Sequence, residues 1–338
     1  MDREEQIDNS FNYYQVRTDL AIEAREMVHK GEDIEIKGVE VEEEVNDSIN
    51  LKVTKVKIKD ENGSKLMNKP IGNYITMECE LMKENDSEVH DQLINDLAKH
   101  IKSITKLKEN PLVLVVGLGN WWVTPDSLGP KVTSNLLVTR HLFEEIKDAD
   151  YLNDMGRVSA ISPGVMGQTG METFEIIKGI VDEIRPDLII AIDALASRRT
   201  SRVNSTIQIA DTGVHPGSGV GNKRKGITEE SLGVPVLAIG VPTVVDAATI
   251  VNDTMDNLIN AMMNQTKQAN VLNSLQEFNK EEKYELIKEV LYPYVGNMFV
   301  TPKDIDSVVK RISYIISGSI NIALHPEIDY KEITGYLS

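Results

Sequence analysis

Two aspartates of this chain stand where a carboxylate can meet a substrate. Asp193 closes the apolar run Leu188-Ile189-Ile190-Ala191-Ile192, and Asp126 lies in the segment VTPDSLGP. A run of that composition reads as a buried strand, so its terminal aspartate emerges at the rim of a sheet. At Asp126, Thr124 fits a helix N-cap, Pro125 the first helical position and Asp126 the second. Each carboxylate therefore has a structural use, as a loop cap or as a charge complementing a helix dipole. Brought together they do chemistry. Close like charges raise one pKa, so the pair holds one proton and titrates as a unit. One member then activates water while the other protonates a leaving group. Spacing in the chain does not show that they meet.

Other chemistries are less well supplied. Asp211-Thr212-Gly213 is a D-T-G triplet. In all-β aspartic proteases that triplet needs a second copy; here it ends a strand among helices, which leaves Asp211 as a supporting carboxylate. The six histidines are scattered and form no H-E-x-x-H. His215 alone falls on a loop at the rim, beside Ser218, which lacks the nucleophile-elbow glycines. Gly117 and Gly119 begin a dinucleotide-type turn, but Trp122 holds the third glycine position. Gly217, Gly219 and Gly221 suit either an anion nest or a plain loop. Arg198, Arg199 and Arg202, with Lys223, Arg224 and Lys225, form a basic cluster. These are either solvated loop charges or forks for acidic side chains of a ligand.

The elements that must position these residues fall into two textures. Residues 18–30 suit a short helix; 34–44, 49–59 and 73–80 alternate apolar and polar, with a turn at Asp60-Glu61-Asn62-Gly63. This predicts a small antiparallel unit. From residue 90 onward, apolar strand-like runs at 112–116, 157–161, 187–192, 206–209 and 234–239 alternate with helical segments at 91–107, 127–145, 173–184, 247–263, 281–291 and 303–322. That alternation predicts an α/β fold with a mostly parallel sheet flanked by helices. Ligands of such sheets bind beyond the strands' carboxyl ends. The segments 117–120, 162–164, 193–197, 211–221 and 240–243 supply polar and glycine-rich loops there.

Composition narrows the function classes. The chain has 338 residues, 36 Lys and Arg against 53 Asp and Glu, and a formal net charge of −17. Residues 1–50 hold 15 acids against 5 bases, so the excess is concentrated at the N-terminus. Such a charge argues against a general nucleic-acid or anionic-membrane binder. One cysteine, Cys79, excludes an internal disulfide and a thiolate metal cluster, and its strand-like context reads as a buried thiol. The N-terminal MDREEQIDNS has no signal-peptide pattern, and no apolar stretch is long enough to span a bilayer.

Taken in order, VRTDLAIEARE, GLGNWWVTPDSLGP, SPGVMGQTGMET, AIDALASRR, STIQIADTGVHPGSGVGNKRK, GVPVLAIGVPTVVDAATI, NDTMD, VTPKDID and NIALHPEI resemble the germination protease family of spore-forming Firmicutes. The resemblance runs from residue 16 to 328. It implies an atypical aspartic endopeptidase that degrades small acid-soluble spore proteins at germination. It also implies a homotetramer without cofactor, made as a zymogen in the forespore and acting in the spore core. The proposed catalytic aspartates carry over by motif to Asp126 and Asp193, and the fold is similar to that of hydrogenase-maturation endopeptidases. Thr18-Asp19-Leu20-Ala21-Ile22-Glu23 is similar to the family's cleavage pattern. Cleavage between Asp19 and Leu20 would make residues 1–19 a propeptide, 20–87 an N-terminal β-rich subdomain and 88–338 the catalytic domain. The basic cluster would then select acidic flanking residues. Two other readings stay open: a metal-dependent maturation-type endopeptidase using rim carboxylates and His215, and a non-catalytic binder using the glycine loops.

Overall fold

The structure is a computed structural model that describes residues 19–29, 36–105, 108, 110–145, 155–216, 224–265, 280–296, 298–326 and 328. The first 18 residues of the expected propeptide, and Lys223, Ser218 and the 217–221 glycines, lie outside the described residues.

In chain order the elements are α1 (Ala21–His29), β1 (Val39–Asn46), β2 (Leu51–Ile58), α2 (Glu61–Met67), β3 (Gly72–Glu78), α3 (Ser87–Thr105) and β4 (Leu112–Gly117). There follow α4 (Leu128–Thr133), α5 (Arg140–Glu145), β5 (Arg157–Ile161), α6 (Met166–Thr169), α7 (Thr173–Ile184), β6 (Leu188–Ser197) and β7 (Thr206–Ala210). The chain continues through α8 (Glu229–Leu232), β8 (Val236–Asp246), α9 (Ala247–Gln265), α10 (Lys280–Val295), β9 (Phe299–Val300) and α11 (Ile305–Leu324).

The nine strands of the described residues belong to one sheet of order β1-β2-β3-β7-β8-β6-β4-β5, with β9 paired to β8. The strands β8, β6, β4 and β5 are parallel to one another, whereas β7 runs antiparallel to both β8 and β3. The N-terminal strands thus extend the main sheet through the β3–β7 pairing instead of standing apart.

Both faces of the parallel half are covered, which is why its strands read as unbroken apolar runs. Val113 and Val115 of β4 face α3 and α11, where Leu93, Leu97, Ile101, Ile312 and Ile316 are buried. Leu114 and Val116 face the other way, onto Phe174, Ile177 and Val181 of α7. In α3 the buried residues Leu93, Ile94, Leu97 and Ile101 recur at helical spacing. Each such residue stabilises the fold by about 1.5–3 kcal/mol on burial. Cys79 is buried, and its thiol faces the Ile49 carbonyl at 3.3 Å.

The structure corrects several local expectations. Asp60 to Gly63 is not a turn between strands: the Asp60 side chain accepts from Gly63 N and caps α2. The helix expected over 127–145 is broken between α4 and α5. There Leu137 N donates to Asn321 Oδ1 and Asn135 O accepts from Asn321 Nδ2, so α11 takes the backbone bonds a continuous helix would need. The expected loops at 193–197 and 240–243 are strand, because β6 and β8 run on together past the end of β4.

Candidate active site

Asp193 lies inside β6 rather than at its end. Gly117, the last residue of β4, pairs with Ile192, so β4 stops one position short of Asp193. Beyond that point β6 continues beside β8 alone, with Asp193 opposite Gly240. The Asp193 carboxylate is largely buried at a cavity, and the amide of its own neighbour, Ala194 N, donates to it at 2.9 Å. Burial pushes the Asp193 pKa well above the usual carboxylate range, and the nearby charges of Asp126 and Asp19 push it further.

Asp126 lines the same cavity from a single turn of 3₁₀ helix, Thr124–Asp126. The residue before that turn is Val123, so Thr124 is not the N-cap; its hydroxyl bonds Asp306 of α11 at 2.9 Å. Asn120 N donates to Asp126 Oδ2 at 2.9 Å and to the Asp126 carbonyl at 3.0 Å, which aims the carboxylate. Gly119 makes that approach possible. Its φ is +110°, and a Cβ there would stand 2.0 Å from the Asp126 carbonyl oxygen. Burial raises the Asp126 pKa to about 6, against the lowering effects of Asn120 N–H and the Arg224 charge.

The two carboxylates share a cavity of about 540 Å³, also lined by Lys69, Tyr74, Gln208, His215 and Arg224. Asp19 belongs to that lining too. Its carboxylate accepts from Ala196 N at 3.1 Å, and its carbonyl oxygen accepts from Lys69 Nζ at 2.9 Å and Gln208 Nε2 at 3.1 Å. Ala21 N donates to Gln208 Oε1 at 2.6 Å. Leu20 is fully buried against Ile22 and Leu195. One turn on, the Glu23 carboxylate accepts from the backbone N–H groups of Arg198 and Arg199 and from the Ser197 hydroxyl. The segment 19–26 is therefore seated along β6 and β7.

The basic cluster of the sequence divides into separate sites. Arg202 is not on an open rim: it is 6% exposed and ion-paired with Glu23, Glu26 and Glu78. The half-exposed Arg199 side chain pairs with Glu26 at 3.1 Å. Arg198 serves Glu23 through its backbone, and its charge acts on Asp253. Arg224 lines the cavity and its charge acts on both Asp126 and Asp193. Lys225 instead lies over the Phe174 ring, 3.8 Å from its centre. Asp211 does not line the cavity, because Asn73 N and Nδ2 bind its two oxygens at 2.8 and 2.6 Å. Its charge, with burial as the larger cause, raises the Tyr74 pKa to about 12. His215 lines the cavity and its ring packs on Gly226.

Sequence reasoning missed Lys69, Gln208, Glu26 and Glu78. Gln208 carried the one available signal, a long polar side chain inside the apolar run of β7.

A family model described as germination protease matches residues 18–275 and 259–337. The chain is 53% identical over 323 residues to a germination protease of Caldanaerobacter subterraneus subsp. tengcongensis, covering 95% of this chain and 98% of that one. It is 50% identical over 324 residues to a germination protease of Clostridium tetani, covering 96% and 99%. A [NiFe] hydrogenase maturation protease from Thermococcus kodakarensis overlays 65% of this chain and 98% of its own, at 13% identity and a TM-score of 0.32.

Proposed function

This chain belongs to the germination protease family, and from that premise we propose that it is an atypical aspartic endopeptidase whose first substrate is its own Asp19–Leu20 bond. In this reading residues 1–19 are a propeptide, and the enzyme works in the forespore and spore core as a homotetramer. Its later substrates are small acid-soluble spore proteins carrying a segment like Thr18-Asp19-Leu20-Ala21-Ile22-Glu23.

One observation carries the proposal: the peptide after Asp19 is seated in the cavity that Asp126 and Asp193 share. In this reading the pair acts with one proton shared between its carboxylates. The burial and charge that raise Asp193 furthest favour that proton there, leaving Asp126 as the base. Asp126 takes a proton from water as the water oxygen bonds to the Asp19 carbonyl carbon. Asp193 gives its proton to the Leu20 nitrogen as the C–N bond breaks. A spore protein must displace residues 20–26 and place its own acid among the amides that hold Glu23.

The metal-dependent alternative needs several ligands at one point. Among the described residues, no three of His, Cys, Asp and Glu come together that way. The test follows wild type, Asp126→Asn and Asp193→Asn by intact mass from pH 5 to 8, with and without chelator. Loss of residues 1–19 from wild type only, indifferent to chelator, is the expected result. Cleavage in both variants would overturn the aspartate roles, and cleavage abolished by chelator would favour the metal reading.

A further inference from the structure

The row of the sheet that holds Asp193 also holds Gln208. Asp193 of β6 pairs with Gly240 of β8, and Gly240 pairs with Gln208 of β7. Residues paired across strands point to the same face, so Asp193 and Gln208 flank a position that has no side chain. Their backbones are about 10 Å apart, two strand spacings. A Cβ on Gly240 would come within 2.4 Å of Leu195 Cδ1, the side chain that packs on Leu20. Leu195 fills the position over Gly240, and Leu20 packs on Leu195.

Gln208 grips the peptide after Asp19 from both ends. Its Nε2 donates to the Asp19 carbonyl oxygen at 3.1 Å, while its Oε1 accepts from Ala21 N at 2.6 Å. The same carbonyl oxygen receives Lys69 Nζ at 2.9 Å. Lys69 is itself fixed. It follows Asn68, which ends α2 in the left-handed region at φ +47°; Lys69 N donates to Ser64 O at 3.2 Å and Lys69 O accepts from Ser64 Oγ at 2.7 Å. Burial lowers the Lys69 pKa, and the nearby charges of Asp19 and Glu23 act against that lowering.

We propose that Lys69 and Gln208 are the oxyanion donors of the reaction, polarising the carbonyl of the bond that the aspartate pair hydrolyses. The proposal rests on the self-cleavage reading and assigns it two further catalytic residues. As water adds to the Asp19 carbonyl carbon, the C=O electron pair moves onto the oxygen, and the water proton goes to the ionised aspartate. The developing negative charge falls between Lys69 Nζ and the Gln208 amide, both in place as donors before the reaction. The electron pair then returns, the C–N bond breaks, and the Leu20 nitrogen takes the proton from the other aspartate. The products are a carboxylic acid at Asp19 and a free amine at Leu20. The two halves of the sheet divide the work, with acids from β6 and the turn after β4, and oxyanion donors from β7 and the loop before β3.

The test uses the full chain. First-order self-cleavage is followed by intact mass for wild type, Lys69→Met and Gln208→Glu. Gln208→Glu keeps an acceptor for Ala21 N and replaces the amide donor with a carboxylate. Hydrogen exchange of the amides of residues 21–26 reports whether the segment stays seated. We expect each variant to cleave roughly 10²–10³-fold more slowly, the loss typical of one oxyanion donor, with those amides as protected as in wild type. A rate like that of wild type in either variant would overturn the proposal. So would a slow rate accompanied by lost protection, because the residues would then only dock the segment. Should Lys69→Met fail to fold, Gln208→Glu decides by the same criteria. Wild type that never cuts after Asp19 would bring down the self-cleavage reading, and this inference with it; wild type that cuts beside unaffected variants would bring down this inference alone.

Discussion

The parallel half of the sheet and the antiparallel half carry opposite kinds of polar group in and around one cavity. From β6 and the turn after β4 come two carboxylates with raised pKa values and few hydrogen bonds. From β3, β7 and their connections come Arg202, Lys69 and Gln208, each tied into acids or peptide groups. The first set is held at a cost to stability, since burial disfavours its charged form. The second set is satisfied, and binds the N-terminal segment as part of the fold. The groups proposed to react thus sit on an apolar frame, and the groups proposed to recognise substrate sit where the chain's own peptide completes them.

Asp193→Asn should separate these roles most sharply. Self-cleavage should fall by roughly 10²–10⁴-fold, the usual worth of general acid–base catalysis. Stability at pH 7 should hold or rise, because an ionisable group with a penalised charge has been removed. Rate by intact mass and urea denaturation check both halves. A variant that is less stable than wild type would break the comparison, since Asp193 would then support the fold as Arg202 does.

Arg202→Ala is the counterpart in the other half. It leaves Glu23, Glu26 and Glu78 without their shared cation, and Glu23 is only 1% exposed. Breaking a buried charge network in this way costs about 3–5 kcal/mol. Urea denaturation should show that loss, and hydrogen exchange should show α1 released. Unchanged stability would mean that the acids find water on their own.

What the sequence disclosed follows the same division. Asp126 and Asp193 sit in local patterns, a Pro-led turn and an apolar strand, that make them candidates in the string of residues, while their catalytic role comes from the family resemblance. Lys69 and Gln208 carry no such pattern, because their meeting depends on β7 reversing direction between β8 and β3. The apolar run at 206–209 reads as one more strand of a mostly parallel sheet, which puts Gln208 on no particular row. The basic cluster was legible as charge but not as geometry: Arg202 turned inward to α1, Lys225 went over Phe174, and Arg224 alone among the described members lines the cavity. Asp211 looked like part of the site, yet Asn73, distant in sequence, takes both its oxygens.

A smaller effect is expected in pH dependence. Carboxyls whose folded pKa is raised bind protons on folding. Their contribution favours the fold below the unfolded value of 3.8 and is lost as pH rises through about 6 for Asp126. Stability should therefore decline over that window in wild type and decline less in Asp126→Asn, as read by urea denaturation at several pH values. The rate should peak where the pair holds one proton. Arg224 lowers both pKa values, so Arg224→Ala should move the rate profile toward higher pH. A profile that stays in place would detach Arg224 from the pair.

The smallest effect is the most discriminating within the recognition half. Arg199 and Arg202 both pair with Glu26, at 3.1 and 2.7 Å, and lie three residues apart. The Arg199 side chain is 56% exposed and that of Arg202 is 7% exposed. Solvent screening and side-chain entropy hold an exposed pair to about 1 kcal/mol or less. Arg199→Ala should therefore change urea stability by no more than that and leave α1 protected. Double-mutant cycles with Glu26→Ala should give a small coupling for Arg199 and a larger one for Arg202. Equal couplings would show that burial does not set the strength of these contacts, and the contrast between an enclosed recognition network and its open edge would have to be abandoned.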